Sequence, residues 1–209
     1  MSLSSDILLR AKDLFIKCGV KSVTMDDLAK GMGISKKTLY ECIPSKAHLI
    51  DQIFHNHIKG EKKAITQIQH EAHDAVEEMV MIARYVTHMI SMVSPAVVFE
   101  IKKYYFDSWN KLQKLNSEFV FHVIKSNLVN GIEQGLYRPE MDVEVIARHY
   151  VVLSTKIMDN ELYPASAFSL DKIFKETINY HLRGITTPKG WEMYQKYQSK
   201  TNLSESIYK

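Results

Sequence analysis

Residues Thr24–Lys46 read TMDDLAKGMGISKKTLYECIPSK. Thr24 followed three residues later by Asp27 is a capping-box-like helix start, in which the hydroxyl accepts from the Asp27 amide while the carboxylate reaches back. Leu28 and Ala29 then point inward, and the helix stops at Gly31 or Gly33. Gly33 can take the positive φ that a tight turn needs. Ser35 is the natural cap of a second, short helix over about Lys36–Glu41, and Pro44 with Ser45 resets the chain for the next. Two short helices around a glycine turn are the arrangement of a helix-turn-helix. Ala29 is small enough for the second helix to cross the first closely, and Ile34 and Leu39 anchor that helix from beneath. Ser35, Lys36, Lys37, Thr38, Tyr40 and Glu41 are left facing outward or along the edges.

That outward set suits a helix that reads double-stranded DNA. A helix N-terminus presents free amides and a partial positive charge, which favour phosphate. Lys36 and Lys37 lie in the first turn, where an ammonium can enter the major groove and donate to guanine O6 and N7 or to phosphate. Thr38 can touch a thymine methyl or a phosphate, and Tyr40 carries a hydroxyl at the end of a rigid ring. Lys46 opens the following helix and can neutralise a further phosphate. Thr24 and Met25 open the preceding helix beside the flanking backbone. The candidate DNA-binding residues are therefore Thr24, Met25, Ser35, Lys36, Lys37, Thr38, Tyr40 and Lys46. Glu41 reads as solvated or salt-bridged.

The charge distribution agrees. Residues 1–50 hold eight Lys/Arg against five Asp/Glu, and the other 159 residues hold nineteen of each, so the whole net charge of +3 sits in the first quarter. Such asymmetry points to an anionic partner for that quarter.

Outside the motif, nearly every segment reads as helix. Ile7, Leu8, Ala11, Leu14, Phe15 and Cys18 form a one-sided stripe over Asp6–Cys18, closed by Gly19. Further helices are expected at about 45–70, 74–93, 97–115, 117–134, 142–160, 169–184 and 189–199. The prolines at 44, 95, 139, 164 and 188 fall where periodic segments stop. The tail after Lys200 is polar and expected to fray. Strand-like alternation is absent. The expected fold is all-α, with an N-terminal three-helix helix-turn-helix DNA-binding domain at 1–46. A helical-bundle ligand-binding and dimerisation domain follows at 47–209.

The span from Ile7 to Leu49 resembles the DNA-binding domain of the TetR family of bacterial repressors. The matching elements are Ala11, Leu14-Phe15, Gly19, Val23-Thr24-Met25, Leu28-Ala29, Gly33-Ile34-Ser35, Thr38-Leu39-Tyr40, Ser45-Lys46 and Leu49. Cys42-Ile43 departs from the His/Tyr-Phe pair that often follows Leu-Tyr in the family. Ile43 still fills an apolar position, whereas Cys42 is a poor replacement for a phosphate-bonding histidine. Residues 50–209 match only in length and helical character. The resemblance implies a homodimeric regulator on a palindromic operator, released by a small, mostly apolar effector that shifts the fourth helix. Two-fold pairing would set two reading helices about one DNA turn, ~34–36 Å, or somewhat more, apart.

Between residues 79 and 122 the chain is rich in Met and aromatic residues, which build both helical cores and adaptable apolar pockets. Tyr85, His88, Met89, Met92, Phe99, Trp109, His122 and Tyr150 are the candidate ligand-binding residues, with His88, His122 and Tyr150 as the polar groups. Two later helices carry apolar faces that fit either packing within the chain or, by resemblance, a four-helix dimer interface. The interface candidates are Ile146, Tyr150, Leu153, Ile173, Phe174 and Ile178, and His181 lies on the same face as the last three. His70-x-x-His73 lacks a third ligand, and His55 and His57 diverge on a helix, so no metal site is expected. No phosphate loop, nucleophile elbow, Cys-x-x-Cys or HExxH is present, so neither a cofactor nor an enzyme is expected. No segment approaches the ~18 apolar residues of a membrane span, and no export signal is legible. Cys18 and Cys42 then read as reduced thiols in a cytoplasm. The competing reading is a dimeric DNA-binding or protein-interaction module without a small-molecule effector.

Overall fold

A computed structural model describes residues 3–157, 159, 161–164 and 166–204, with side chains as far as residue 199. The fold is all-α. Among the described residues there are ten helices and no strand, only an isolated bridge between Tyr137 and Thr186. The helices are α1 (Leu3–Cys18), α2 (Met25–Met32), α3 (Lys36–Cys42), α4 (Lys46–Glu71) and α5 (Ala75–Ser91). They continue with α6 (Pro95–Tyr104), α7 (Phe106–Glu133), α8 (Val143–Lys156), α9 (Leu170–Ile185) and α10 (Pro188–Ser204).

Local chemistry accounts for most of the boundaries. Ser45 caps α4 by accepting from the His48 amide at 3.1 Å, and Ser94, with Pro95 in the first turn, caps α6. Asp142 accepts from the Glu144 and Val145 amides at the head of α8, and Ser169 caps α9. One expectation fails. The pair of helices at 97–115 and 117–134 is divided elsewhere: α6 ends at Tyr104, and α7 runs unbroken through Asn116 and Ser117. The break is Tyr105, at φ −133° and ψ 47°, where neither glycine nor proline marks it. Tyr105 and Trp109 both pack on an apolar cluster of the N-terminal unit, so tertiary packing sets the break. α10 also runs beyond the expected 199 to Ser204, so the fraying expected from Lys200 is not seen as far as that residue. The tail from Glu205 lies outside the described residues, as do Met158 and Asn160 at the expected end of the 142–160 helix.

The chain divides into two compact units, and the division does not follow the 46/47 boundary. Unit 1 comprises residues 1–61 and 92–116, and unit 2 comprises 62–91 and 117–209. Unit 1 holds α1–α3, most of α4, α6 and the start of α7. Its core joins Ile7, Ala11, Phe15, Leu28, Leu39, Ile43 and Leu49 to Val97 and Ile101 of α6. Those last two residues explain why 92–116 clusters with the N-terminal segment. Unit 2 holds α5, α8, α9, α10 and the remainders of α4 and α7. Its main core gathers Val76, Met79, Leu128, Tyr137, Ala147, Tyr150, Phe174, Ile178 and Leu182. A smaller cluster forms around Ile65, Ile82 and Val123. Inside α7, a Cβ on Gly131 would overlap the Tyr137 ring, so the close approach of that ring requires glycine. The Tyr137 hydroxyl donates to the Ala75 carbonyl at 2.9 Å and lies 3.0 Å from Asn127 Oδ1 in the buried interior.

Candidate nucleic-acid interface

The helix-turn-helix is held by its own polar side chains. Thr24 Oγ1 accepts from the Asp27 amide at 3.1 Å, while the Thr24 amide and hydroxyl donate to Asp27 Oδ2 at 2.8 and 2.6 Å. These bonds hold the Asp27 carboxyl below its ordinary range. At the other end of α2, Gly33 adopts φ 65°, and the Ile34 amide donates to the Ala29 carbonyl at 3.0 Å, closing the helix in a left-handed cap. Ser35 Oγ accepts from the Thr38 amide at 3.0 Å and lies 2.8 Å from the Thr38 hydroxyl. Leu39 is fully buried and seats α3 on the core of unit 1.

With Leu39 inward, Ser35, Lys36, Lys37 and Tyr40 are exposed and Thr38 is half-exposed. Lys37 projects furthest, with its side chain 87% exposed and Glu41 4.0 Å away. Lys36 Nζ meets Asp26 Oδ2 at 2.5 Å, and this hydrogen-bonded carboxylate raises the lysine above its ordinary range. Two other candidates face differently from the sequence expectation. Met25 is 8% exposed and belongs to the core, so its side chain does not face outward. Both donors of Thr24 are engaged by Asp27, which makes capping its observed role. Lys46 is half-buried, with its ammonium over the Phe15 ring at 5.6 Å. Burial lowers its affinity for a proton, against the attraction of Glu100 and Asp27.

Sequence reading missed Glu100. Its carboxylate accepts from the Lys21 amide at 2.8 Å, and a Cβ on Gly19 would approach its oxygens within 3.2 Å. Gly19 sits at φ 84°. One side chain of α6 therefore fastens the turn between α1 and α2. A glutamate among the apolar residues Val97, Val98, Phe99 and Ile101 was the available signal, and its partner 79 residues away was not.

The candidate ligand residues fall in both units. Met92, Phe99 and Trp109 belong to unit 1, and Tyr85, His88, Met89, His122 and Tyr150 to unit 2. Met92 and Phe99 are 55% and 62% exposed, and Trp109 packs on the unit 1 core beneath Lys102. Within unit 2, Tyr85 packs on the smaller cluster, Met89 is half-buried, and His88 and His122 are exposed. Tyr150 lies inside the main core with its ring edge on His181 at 4.6 Å, and burial pushes its hydroxyl far up.

The dimer candidates differ in burial within the single chain. Tyr150, Ile173, Phe174 and Ile178 are buried in the core of their own unit, and Ile146 is half-buried against it. Leu153, 38% exposed, is the one member that faces outward. The apolar side chains left exposed on α8 and α9 are Val145, Val152, Leu153 and Tyr180, the last at 75%. The more apolar face of each helix is claimed by packing within the chain.

Residues 7–53 match the family described as bacterial regulatory proteins, tetR family. The chain is similar to the HTH-type transcriptional regulator YvaF of Bacillus subtilis, 24% identical over 79% of this chain and 86% of that one. It is also similar to the HTH-type transcriptional repressor KstR2 of Rhodococcus jostii, 23% identical over 88% and 91% of the two chains. In fold it resembles a transcriptional regulator from Cytophaga hutchinsonii, with a TM-score of 0.72 and 17% identity over 88% of this chain and 98% of that one.

Proposed function

We propose, from the family match over residues 7–53, that the chain is a TetR-family transcriptional regulator, a homodimeric repressor of a palindromic operator. The observation that carries the reading is α3. Its serine cap and buried Leu39 turn Ser35, Lys36, Lys37 and Tyr40 outward along one short helix. The first turn of such a helix delivers side chains to base edges while its amides and flanking lysines hold phosphates. The Rhodococcus relative is a repressor, and that role is extended to this chain.

In this reading Lys36, Lys37 and Thr38 face bases or nearby phosphates, Tyr40 and Ser35 hold backbone phosphates, and Lys46 adds long-range attraction. Thr24 and Met25 act through the fixed start of α2. Two copies pair through the exposed ridge of α8 and α9, and the protein works in the cytoplasm. No single helix among the described residues is long and apolar enough to cross a membrane. A small, mostly apolar effector binds among Met and aromatic residues of the 79–122 stretch and moves α4. It releases DNA only if it binds better to the half-site spacing that the operator does not fit.

The test is fluorescence-anisotropy titration of the intergenic duplex beside its own gene, across a salt series. Lys37→Ala is expected to weaken binding and to flatten the slope of log K against log salt by about one. Tyr40→Ala is expected to cost roughly tenfold in affinity, the size of one lost hydrogen bond to a charged group. A wild-type protein with no salt-dependent, sequence-selective complex would sink the reading.

A further inference from the structure

We infer that Asp26 is a positioning residue that sets specificity: its carboxylate confines Lys36 on the reading face and withholds that charge from non-specific phosphate. The inference rests on the DNA-binding reading above. The first turn of α2 carries two adjacent acids with separate work. Asp27 closes the capping box with Thr24, which accounts for its place. Asp26 has no part in that box. It reaches across the turn to Lys36, the first residue of α3, at 2.5 Å. The two side chains are 44% and 61% exposed, so the pair stands in solvent and adds little to stability.

Its consequence lies in the charge presented to a polyanion. Non-specific affinity comes from lysines that displace counterions from phosphate, and each neutralised phosphate adds about one to the salt dependence. A lysine already paired with a carboxylate contributes less to that sum, and a bare carboxylate on the same face would be repelled. Phosphate contacts fix register and carry no sequence information, whereas base-edge contacts do. An ammonium has three donors. With one held by Asp26, the other two keep a narrow range of directions, as donation to guanine O6 and N7 requires. The hydrogen-bonded carboxylate also favours the charged lysine, so the group stays a donor.

The experiment compares wild type, Asp26→Asn, Asp26→Glu, Lys36→Ala and the double variant Asp26→Asn/Lys36→Ala. Each is titrated against the intergenic duplex and a scrambled duplex of the same length and composition over a salt series. Circular dichroism melting accompanies each variant. Asp26→Asn is expected to bind the scrambled duplex several-fold more tightly at low salt, with a slope steeper by about one. Its ratio of intergenic to scrambled affinity falls, Asp26→Glu restores part of that ratio, and in the Lys36→Ala background Asp26→Asn tightens both duplexes alike and leaves the ratio unchanged. The inference is overturned if wild type is selective but Asp26→Asn leaves slope and ratio unchanged. It is equally overturned if Asp26→Asn weakens both duplexes alike or still lowers the ratio without Lys36. A wild type that selects neither duplex removes the DNA-binding reading itself, a different and recognisable result.

Discussion

His181 is buried to 6% exposure in unit 2, and its Nε2 has no hydrogen-bond partner. Burial pushes its pKa down from 6.5 to about 4. As pH falls, the unfolded chain therefore takes up this proton first. The stability associated with neutral His181 is complete above about pH 6.5 and is lost between there and pH 4. The loss amounts to about 2 kcal/mol by pH 5. Buried Glu78 and half-buried Glu61 have raised carboxyls and act in the opposite direction, while His57, lowered by burial, acts in the same one. The difference between wild type and His181→Leu isolates the group. Urea unfolding at pH 7.5 and pH 5 should show a smaller acid loss in the variant, and an equal loss in both would show that His181 stays neutral in neither state. The residue was visible in the sequence as a polar position on the apolar face of α9. Its burial could not be read, because the same face suited a dimer interface equally well.

At the scale of the element, start and stop signals were legible wherever a side chain and an amide three residues away settle the matter. Thr24 and Ser35 cap where the sequence placed them, and Ser45, Asp142 and Ser169 cap the helices expected to start at about 45, 142 and 169. The break at Tyr105 was not legible, because it depends on where Tyr105 and Trp109 pack and on no local breaker. The apolar faces of α8 and α9 were ambiguous for a related reason: periodicity reports that a helix has an apolar stripe but not which neighbour covers it. The fastening of α6 to the α1–α2 turn is likewise non-local. Glu100→Ala is expected to free the Lys21 amide and to destabilise unit 1 by about 1 kcal/mol, a modest figure for a charge-assisted bond near solvent. Hydrogen exchange at the Lys21 amide should accelerate while exchange in unit 2 holds. Unchanged protection at Lys21 would mean that Val97 and Ile101 alone place α6.

For the molecule as a whole, the reading face and the exposed α8–α9 ridge make separable demands. A head this short specifies few base pairs, and two-fold pairing doubles the site and fixes its spacing. Val152→Glu together with Tyr180→Glu, both on side chains already in solvent, should leave the fold intact. The same changes should raise the dimer dissociation constant by at least tenfold through charge repulsion across a two-fold axis. Sedimentation velocity reads the state directly. A variant that stays dimeric at wild-type concentrations would move the interface elsewhere, and loss of the dimer should flatten the salt dependence of operator binding as half the phosphate contacts disappear.

Unit 1 is also a matter of timing. It is built from residues 1–61 and 92–116, with 30 residues of the other unit translated in between. At 5–20 residues per second, a ribosome needs roughly 3–11 s after residue 61 to supply residue 116. During that interval the apolar surface that Val97 and Ile101 cover in the finished protein stands open, and the Lys21 amide has no carboxylate. The nascent head therefore carries an unfinished apolar core until that segment is made. An open reading frame cut after codon 61 yields every proposed contact residue on a head that lacks part of its core.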